Sequence, residues 1–219
     1  MEEYIGRIKQ LTQAPLHLRK KVCEEMKHGI QVSNLAVMVA KELGKEEAFC
    51  RDIATTGILH DIGKLKLTKY LNGEDGLMIE HMKYVRQHTA QSYEIMMGAG
   101  YDTDLSLAVY HHHENFDGSG YPENLRGEEI PLMARILRVC DVFAALTMNR
   151  NYRKAFDAKT AMEIMIDEVP DYDMEVFLAF QRVVHNEEDR EAFEQKMHEI
   201  SKEQEEALGL FEKELLLLL

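Results

Sequence analysis

The residues from His111 to Pro122 concentrate side chains that could do chemistry. They read His-His-His-Glu-Asn-Phe-Asp-Gly-Ser-Gly-Tyr-Pro. Histidine is the commonest metal ligand, and its ring is largely neutral near pH 7. The glycines and the proline end any helix and bend the chain, so these side chains are presented at a turn. An affinity tag would sit at a terminus and lack this continuation, so the tract indicates a metal site.

A second candidate stretch is His-Asp-Ile-Gly-Lys at residues 60 to 64. Adjacent helical residues point about 100° apart, so His60 and Asp61 can address one site only where a helix ends. Gly63 supplies that end. Two interpretations of Lys64 remain open. It complements the C-terminal dipole of the helix, or it lies beside a negatively charged reacting group.

Single polar residues on other helices complete the candidate set. Glu24 and His28 are four residues apart and share one helix face, although an ordinary surface pair has the same spacing. His88 is a lone helical histidine, and such residues are more often hydrogen-bonded core residues than ligands. Asp141 lies in a strongly apolar segment, where an unpaired carboxylate is costly to bury. A cationic partner is therefore expected for Asp141.

The candidates offer imidazoles and carboxylates and no thiolate. A structural zinc site usually includes cysteine, whereas nitrogen and oxygen donors suit two or three borderline metals such as iron or manganese. Bound metals lower the pKa of water to about 7, and paired metals stabilise the oxygens of a phosphoryl displacement. Phosphoester hydrolysis is the expected reaction class. The candidate ligands are Glu24, His28, His60, Asp61, His88 and Asp141, together with two of the three consecutive histidines.

The elements that must position these residues are predicted to be helices. The chain has 219 residues, 45% of them hydrophobic, and only four prolines, which favours a mostly helical protein with one large domain or two small ones. A loop is predicted over 65–76, with His88 in the middle of the following helix and the consecutive histidines in the last turn of another. The predicted helices cover 2–12, 15–43, 46–60, 77–97, 132–148, 158–168 and 173–186, with a further helix before His111.

The charge distribution bears on partners. A formal net charge of -13 argues against binding a nucleic-acid polymer. Much of the acidity lies beyond residue 187, where a helix is predicted with an apolar stripe that includes Phe193, Met197, Leu208 and Phe211. Two alternatives stay open. The stripe packs on its own domain, or it forms a homodimer with a second copy through a coiled-coil-like seam.

Cysteine usage and the N-terminus bear on location. Cys23, Cys50 and Cys140 are odd in number, lack C-x-x-C spacing and lie in apolar helical patterns, which indicates buried thiols in a reducing compartment. The chain begins without a basic segment followed by an apolar one, and no apolar run approaches the roughly 18 residues of a membrane helix. We expect a cytoplasmic protein that does not insert into membranes.

The motifs resemble the HD-GYP group of metal-dependent phosphohydrolases, whose members hydrolyse cyclic di-GMP. The resemblance covers roughly residues 20 to 186 and rests on three stretches, 60–64, 112–122 and 130–146. It implies an all-α, HD-domain-like helical bundle over 21–186, preceded by a helical lead-in over 1–20 and followed by an extended acidic helix over 187–219. A cyclic dinucleotide is the implied substrate.

The resemblance also implies roles for individual residues. Lys64 and Asp61 are the implied catalytic positions, and His111 has no role. Substrate is implied to meet Lys64, Tyr121, Arg150 and Arg153. The implied metal ligands are His28, His60, Asp61, His88, His112, His113 and Asp141, with Glu24 as the extra carboxylate of members that hold three metals.

Three departures from the family pattern leave every ligand in place. Asn151 stands where proline is common, Ser92 stands where glycine is common, and the stretch 65–75 lacks the usual Ile-Pro-Asp. They bear on substrate preference rather than catalysis. Two alternative functions stay open. One is a nucleotide phosphohydrolase of broader specificity, and the other is a cyclic-dinucleotide-binding effector with little activity.

Overall fold

The fold is all-α, as predicted. A computed structural model describes residues 15–71, 85–149, 154–185, 196–197 and 199–217, and the regular structure in these ranges is helical without strands. Short 3₁₀ turns follow the histidine-rich loop and α7. The α-helices are α1 (Leu16–Glu42), α2 (Glu47–Leu59), α3 (Lys64–Leu71), α4 (His88–Gly98), α5 (Thr103–Tyr110), α6 (Leu132–Thr147), α7 (Ala158–Asp167), α8 (Met174–His185) and α9 (Lys202–Leu217).

The bounds of α1, α2, α6, α7 and α8 lie within one residue of those predicted. Proline and glycine mark the ends of α1. Pro15 precedes its first residue, and Gly44 follows its end with a φ of 68°. The helix predicted over 2–12 lies outside the described residues.

Three local predictions were wrong. The stretch after Gly63 is helix α3 rather than a loop, because Leu65 and Leu67 are buried and bring the segment into the core. The turn dipeptides that suggested a loop, Asn72-Gly73 and Asp75-Gly76, lie beyond the end of α3 in the sequence. His88 is the first residue of α4 rather than a mid-helix residue, and the three histidines follow α5 in a turn.

Two buried clusters form the core, and α1 runs through both. The first packs the C-terminal half of α1 against α6, α7 and α8, with Phe143, Met165 and Phe180 near its centre. The second packs the N-terminal half of α1 against the end of α2, α4, α5 and α9. The second cluster contains Leu59 and Ile62, which flank the His60-Asp61 pair.

The contact between α1 and α2 is unusually close. A Cβ added at Gly57 would lie 2.5 Å from the Cα of Ser33, so only glycine permits this approach. Ser33 is fully buried, and its hydroxyl donates to the carbonyl of Ala54 over 2.7 Å. This contact fixes His28 on α1 relative to His60 at the end of α2.

The C-terminal helix packs on its own domain. Ala207, Leu208 and Phe211 are buried in the second cluster, and Met197 is buried in the first. The side chain of Gln204 donates to Ser33 Oγ over 2.6 Å. The described part of the apolar stripe therefore packs on its own domain, which was the first of the two alternatives. The acidic helix is also shorter than predicted, because residues 199–201 are not helical.

The remaining global expectations concern thiols and membranes. The side chains of Cys23, Cys50 and Cys140 are buried thiols that form no disulfide, as predicted. Among the residues that the structure describes, no helix is both long enough and apolar enough to cross a membrane.

Candidate metal centre

Seven of the predicted ligands meet in two groups that share one residue. In each group the candidate ligand atoms all lie within 4.8 Å of one another. Apart from His113, which is partly exposed, these side chains are buried. The first group comprises His28, His60, Asp61 and Asp141, and the second comprises Asp61, His88, His112 and His113.

Asp61 connects the groups through its two carboxylate oxygens. Its Oδ2 lies 3.2 Å from Nε2 of His60, and its Oδ1 lies 3.2 Å from Nε2 of His88. The Nε2 atoms of His88 and His112 are 3.4 Å apart. A carboxylate that offers one oxygen to each of two groups can bridge a pair of metal ions.

The turn between α2 and α3 explains how adjacent residues address one site. Helix α2 ends at Leu59, and His60 is its C-cap. Asp61 to Gly63 then form a turn in which the Lys64 N–H donates to the Asp61 carbonyl over 2.9 Å. Because the helix ends here, the two side chains escape the 100° separation of a continuing helix.

Backbone carbonyls orient three of the histidines. The Nδ1 atoms of His60, His88 and His112 lie 2.9, 2.5 and 2.6 Å from the carbonyl oxygen three residues earlier in each case. A carbonyl oxygen only accepts, so each Nδ1 must carry the proton. In the neutral ring, Nε2 then carries no proton, and its lone pair can bind a metal ion in the site, as in known metal centres.

Burial keeps part of this site neutral. Desolvation lowers the pKa of His88 and holds that of His112 well below its usual range. It lowers the pKa of His113 to about 3. These three imidazoles are therefore neutral at pH 7, and a neutral imidazole is the form that binds metal.

His60 differs from the other histidines. Burial alone would lower its pKa, but the charges of the Asp61 and Asp141 carboxylates, which lie 3.2 and 3.7 Å from its Nε2, outweigh burial and raise the pKa to about 10. Burial would likewise raise the pKa of Asp61, but the charges of Lys64 and His60 hold it well below its usual range. A metal ion at His60 would therefore displace a proton.

The predicted partner of Asp141 is present. Its Oδ1 lies 2.8 Å from Nε2 of His28 and 3.7 Å from Nε2 of His60. Burial would raise the pKa of Asp141, but these two histidines hold it well below its usual range. The carboxylate of this apolar helix is thus ionised at neutral pH.

The donor set fits divalent metal ions. Buried polar groups nearly always have partners, yet Oδ1 of Asp61 and Nε2 of His60 have no hydrogen bond within the described residues. Both atoms are candidate metal donors, and a cation would satisfy them. Nitrogen and oxygen donors without a thiolate match the predicted class of metals.

Lys64 lies at the edge of the centre. It is the first residue of α3, so it does not complement the C-terminal dipole of α2. Its ammonium group contacts the Asp61 carboxylate and lies 3.8 Å from Oε2 of Glu25. Although burial alone would lower its pKa, these carboxylates raise it, so Lys64 stays charged. This placement favours the interpretation of Lys64 as a cation beside the reacting group.

The histidine-rich loop folds back over the second group. The Tyr121 N–H donates to the His113 carbonyl over 3.1 Å, and their rings stack with centroids 4.8 Å apart. The buried Glu114 carboxylate accepts from the Glu123 N–H over 2.6 Å and so fixes the far side of the loop. Tyr121 is thereby placed beside a predicted ligand.

The structure leaves other predicted residues outside the two groups. Glu24 is exposed on α1 and belongs to neither group. His111 is buried, but its Nδ1 lies 3.8 Å from Oε1 of Glu114 instead of facing Asp61. Arg150 and Arg153 lie outside the described residues.

Sequence reasoning missed three residues near the centre. Glu25 lies 3.8 Å from the ammonium group of Lys64. The signal in the sequence was its spacing of three from His28, which places both residues on the same helix face. Glu114 lies inside the histidine motif and was given no role. Arg86 carries its charge over the Tyr121 ring, and nothing in the sequence singled it out.

Comparison with known proteins identifies the class. A family model of the HD domain matches residues 9–176. The chain belongs to the HD domain family. A solved structure of a cyclic GMP-AMP specific phosphodiesterase from Vibrio cholerae superposes with a TM-score of 0.61 over 86% of this chain and 54% of that chain. At 15% identity this likeness shows the fold.

Curated relatives support the resemblance to the HD-GYP group. A cyclic di-GMP phosphodiesterase of Pseudomonas aeruginosa is 33% identical over 159 residues, which cover 72% of this chain and 38% of the relative. A 3'3'-cGAMP-specific phosphodiesterase of Vibrio cholerae is 37% identical over 144 residues, covering 65% of this chain and 33% of the relative. The chain thus spans about a third of the length of these relatives.

Proposed function

We propose that this protein is a metal-dependent phosphodiesterase that hydrolyses cyclic di-GMP to the linear dinucleotide and on to GMP. The observation that carries this proposal is Asp61, which offers one oxygen to each of two buried ligand groups. Paired divalent metals suit phosphoester hydrolysis, because they activate water and neutralise the charge of the transition state. The donor chemistry favours iron or manganese.

The residues of the chain have separate tasks in this proposal. The His and Asp side chains of the two groups hold the metals and exclude bulk water from them. Lys64 is held by Asp61 and Glu25 at the edge of the centre, where its ammonium group can bind a phosphate oxygen. Burial and nearby carboxylates raise the pKa of Tyr121, so its hydroxyl keeps its proton and can donate to the substrate.

Arg150 and Arg153 are assigned to phosphate binding on the resemblance alone. They follow α6, the helix that carries Asp141. Guanidinium groups bind phosphate through paired, charge-assisted hydrogen bonds. These arginines would hold the substrate without contributing to the metal centre.

A third metal would involve Glu24. The residue lies one helical turn before His28, so a change of rotamer can bring its carboxylate towards the first group. A third cation would strengthen binding of the terminal phosphate that appears after ring opening, because this group carries more charge than a diester. We therefore assign the second cleavage, to GMP, to a centre that includes Glu24.

The cellular location and the partners of the protein are also proposals. Three buried thiols that form no disulfide support a reducing compartment, and we propose the cytoplasm. The substrate is a small cyclic dinucleotide rather than a nucleic-acid polymer, which the net charge of -13 disfavours. A homodimer through the C-terminal helix would need a surface other than the side that packs on its own domain.

Product chromatography tests the proposal. Metal-loaded protein is incubated with cyclic di-GMP, 3'3'-cGAMP and non-cyclic nucleotides, and its metal content is measured. We expect at least two ions per chain and conversion of cyclic di-GMP to GMP. His60→Ala and Asp141→Ala should lose metal and activity while staying helical, whereas His185→Ala, an exposed histidine of α8, should retain both.

The other outcomes separate the alternatives. Turnover of non-cyclic nucleotides at comparable rates would make the protein a broader phosphohydrolase. Tight binding of cyclic di-GMP without products would make it an effector. A preference for 3'3'-cGAMP would leave the proposed phosphodiester hydrolysis unchanged and would replace cyclic di-GMP as the proposed substrate.

A further inference from the structure

A column of three stacked groups leads from the metal centre to the protein surface. It consists of His113, Tyr121 and Arg86. The ring of Tyr121 stacks on that of His113 at an interplanar angle of 26°. The guanidinium carbon of Arg86 lies 4.8 Å from the centroid of the Tyr121 ring, and Arg86 is exposed.

The position of Arg86 is fixed by the same turn that orients a metal ligand. His88 uses its Nδ1 to bind the carbonyl of Val85 over 2.5 Å, and the hydroxyl of Thr89 donates to the carbonyl of Arg86 over 3.3 Å. His88 in turn contacts Asp61. The backbone of Arg86 is therefore held at a defined distance from the second ligand group.

Among the described residues, Arg86 differs from three other arginines in having no acidic partner. Arg135, Arg138 and Arg182 each have an aspartate or glutamate partner. Within the described ranges no carboxylate forms an ion pair with Arg86, and its guanidinium group lies over the tyrosine ring. Lys64, another cation near the centre, already contacts two carboxylates. An available positive charge at this place suits an anionic ligand.

Cation–π stacking leaves the guanidinium ready for that ligand. The tyrosine face attracts the charge of the guanidinium group, and this attraction does not use the N–H donors of the group. Two parallel N–H groups match two oxygens of a phosphate. Stacking therefore orients Arg86 without using its hydrogen-bond donors.

We propose that Arg86 is a substrate-binding residue that holds the phosphate not being cleaved. A cyclic dinucleotide has two phosphodiesters on opposite sides of its ring. When one lies at the metal centre, the other lies away from it, towards the protein surface. Arg86 is the cation that the column places there. This inference rests on the proposed function and adds a residue to it.

A contact to the remote phosphate predicts a specific kinetic pattern. Such a contact is made before and during the reaction, so its loss weakens binding more than it slows the chemical step. Arg86→Ala should raise KM for cyclic di-GMP by about tenfold to a hundredfold, the range of a lost hydrogen bond to a charged group. The value of kcat should change by less than about threefold.

Three further variants define the contact. Arg86→Gln keeps hydrogen-bond donors but removes the charge, and it should behave like Arg86→Ala. Arg86→Lys restores the charge without the planar fork and should recover part of the loss. Arg51→Ala is the control. Arg51 is an exposed arginine near the start of α2, at the end opposite to His60, so its removal should leave KM unchanged. All variants should retain the metal content of the wild type.

Steady-state kinetics and calorimetric titration with cyclic di-GMP are measured on the same metal-loaded samples. An unchanged KM in Arg86→Ala, a wild-type KM in Arg86→Gln, or loss of metal from either would overturn the assignment. Wild-type binding without turnover would refute the phosphodiesterase while the titrations still decide the role of Arg86. Absence of wild-type binding would overturn both proposals.

Discussion

Gly63→Ala tests how the two ligand groups are held together. Gly63 lies in the turn that carries Asp61, and it packs against the start of α4, which carries His88. A Cβ at residue 63 would lie 2.3 Å from the carbonyl oxygen of His88 and 2.5 Å from the amide nitrogen of Ser92. Both neighbours are backbone atoms, so no flexible side chain can move aside.

The size of the effect follows from these distances. An ordinary contact begins at 3.4 Å, so the turn and the helix must separate by roughly 1 Å. Overpacking of this kind costs about 1–3 kcal/mol. The separation also lengthens the 2.8 Å hydrogen bond from Gly63 N–H to Ser92 Oγ and the 3.2 Å approach of Asp61 to His88.

Metal affinity is more sensitive than stability to this separation. Metal–ligand distances are held within about 0.2 Å, so a shift of roughly 1 Å at the bridging carboxylate exceeds what the second group can absorb. We expect Gly63→Ala to bind its second ion about tenfold to a hundredfold more weakly, a loss typical of disturbed ligand support. The first group should be affected less, because His60 moves with Asp61.

The assay combines urea unfolding of the metal-free protein with calorimetric metal titration. Gly209→Ala is the matched control, because Gly209 lies within α9 and a Cβ there would meet nothing within 4 Å. This control should be stabilised by up to about 1 kcal/mol and bind metal normally. If Gly63→Ala binds both ions with wild-type affinity, the packing of this turn does not set the distance between the groups.

Two further predictions address the outlying elements. Glu24→Gln should bind one metal fewer and slow the second cleavage more than the first, as a time course of both products would show. Unchanged metal content would instead make Glu24 part of an ordinary surface pair. Gln204→Ala should lower the free energy of unfolding by about 1–3 kcal/mol, because the polar groups of Ser33 and Asn34 lose a buried partner. Glu205→Ala, on the exposed side of α9, should stay within about 0.5 kcal/mol of wild type in the same urea titration.

Strong apolar periodicity made the longer helices predictable. In α1 the apolar pattern includes the buried Ile30 and Leu35, and Val37 and the C-cap residue Leu43 pack against the core while partly buried. In α6 the local and tertiary signals agree at four buried residues, Ile136, Leu137, Val139 and Phe143. The helix α3 was missed because it is short and precedes two turn dipeptides. Its helical state depends on burying Leu65 and Leu67, which sequence spacing alone does not reveal.

The ligand set was predictable for a different reason. His28 and His88 each had a plausible structural explanation when considered singly, whereas Asp141 already required a cationic partner. The resemblance to a family decided in favour of metal binding at both histidines. Spacing alone also left open which of three consecutive histidines would serve. The structure brings His112 and His113 into the second group, while His111 turns towards Glu114.

Glu25 and Arg86, which lie near the edge of the centre, could not be singled out from the sequence. Glu24 and Glu25 lie four and three residues before His28, and both spacings place a side chain on the same helix face. Only the structure shows that Oε2 of Glu25 lies 3.8 Å from the ammonium group of Lys64. Arg86 likewise gains its significance from Tyr121, which is distant in sequence.

The centre links metal binding to the charge of the protein interior. Asp61 and Asp141 are buried carboxylates, and such groups are stable only beside compensating positive charge. Lys64 and a protonated His60 provide that charge within the chain, which is why the pKa of His60 rises to about 10. A divalent ion offers a larger compensating charge at the same atoms and releases the proton of His60. The same buried carboxylates that make the metal-free interior costly therefore supply the driving force for metal binding.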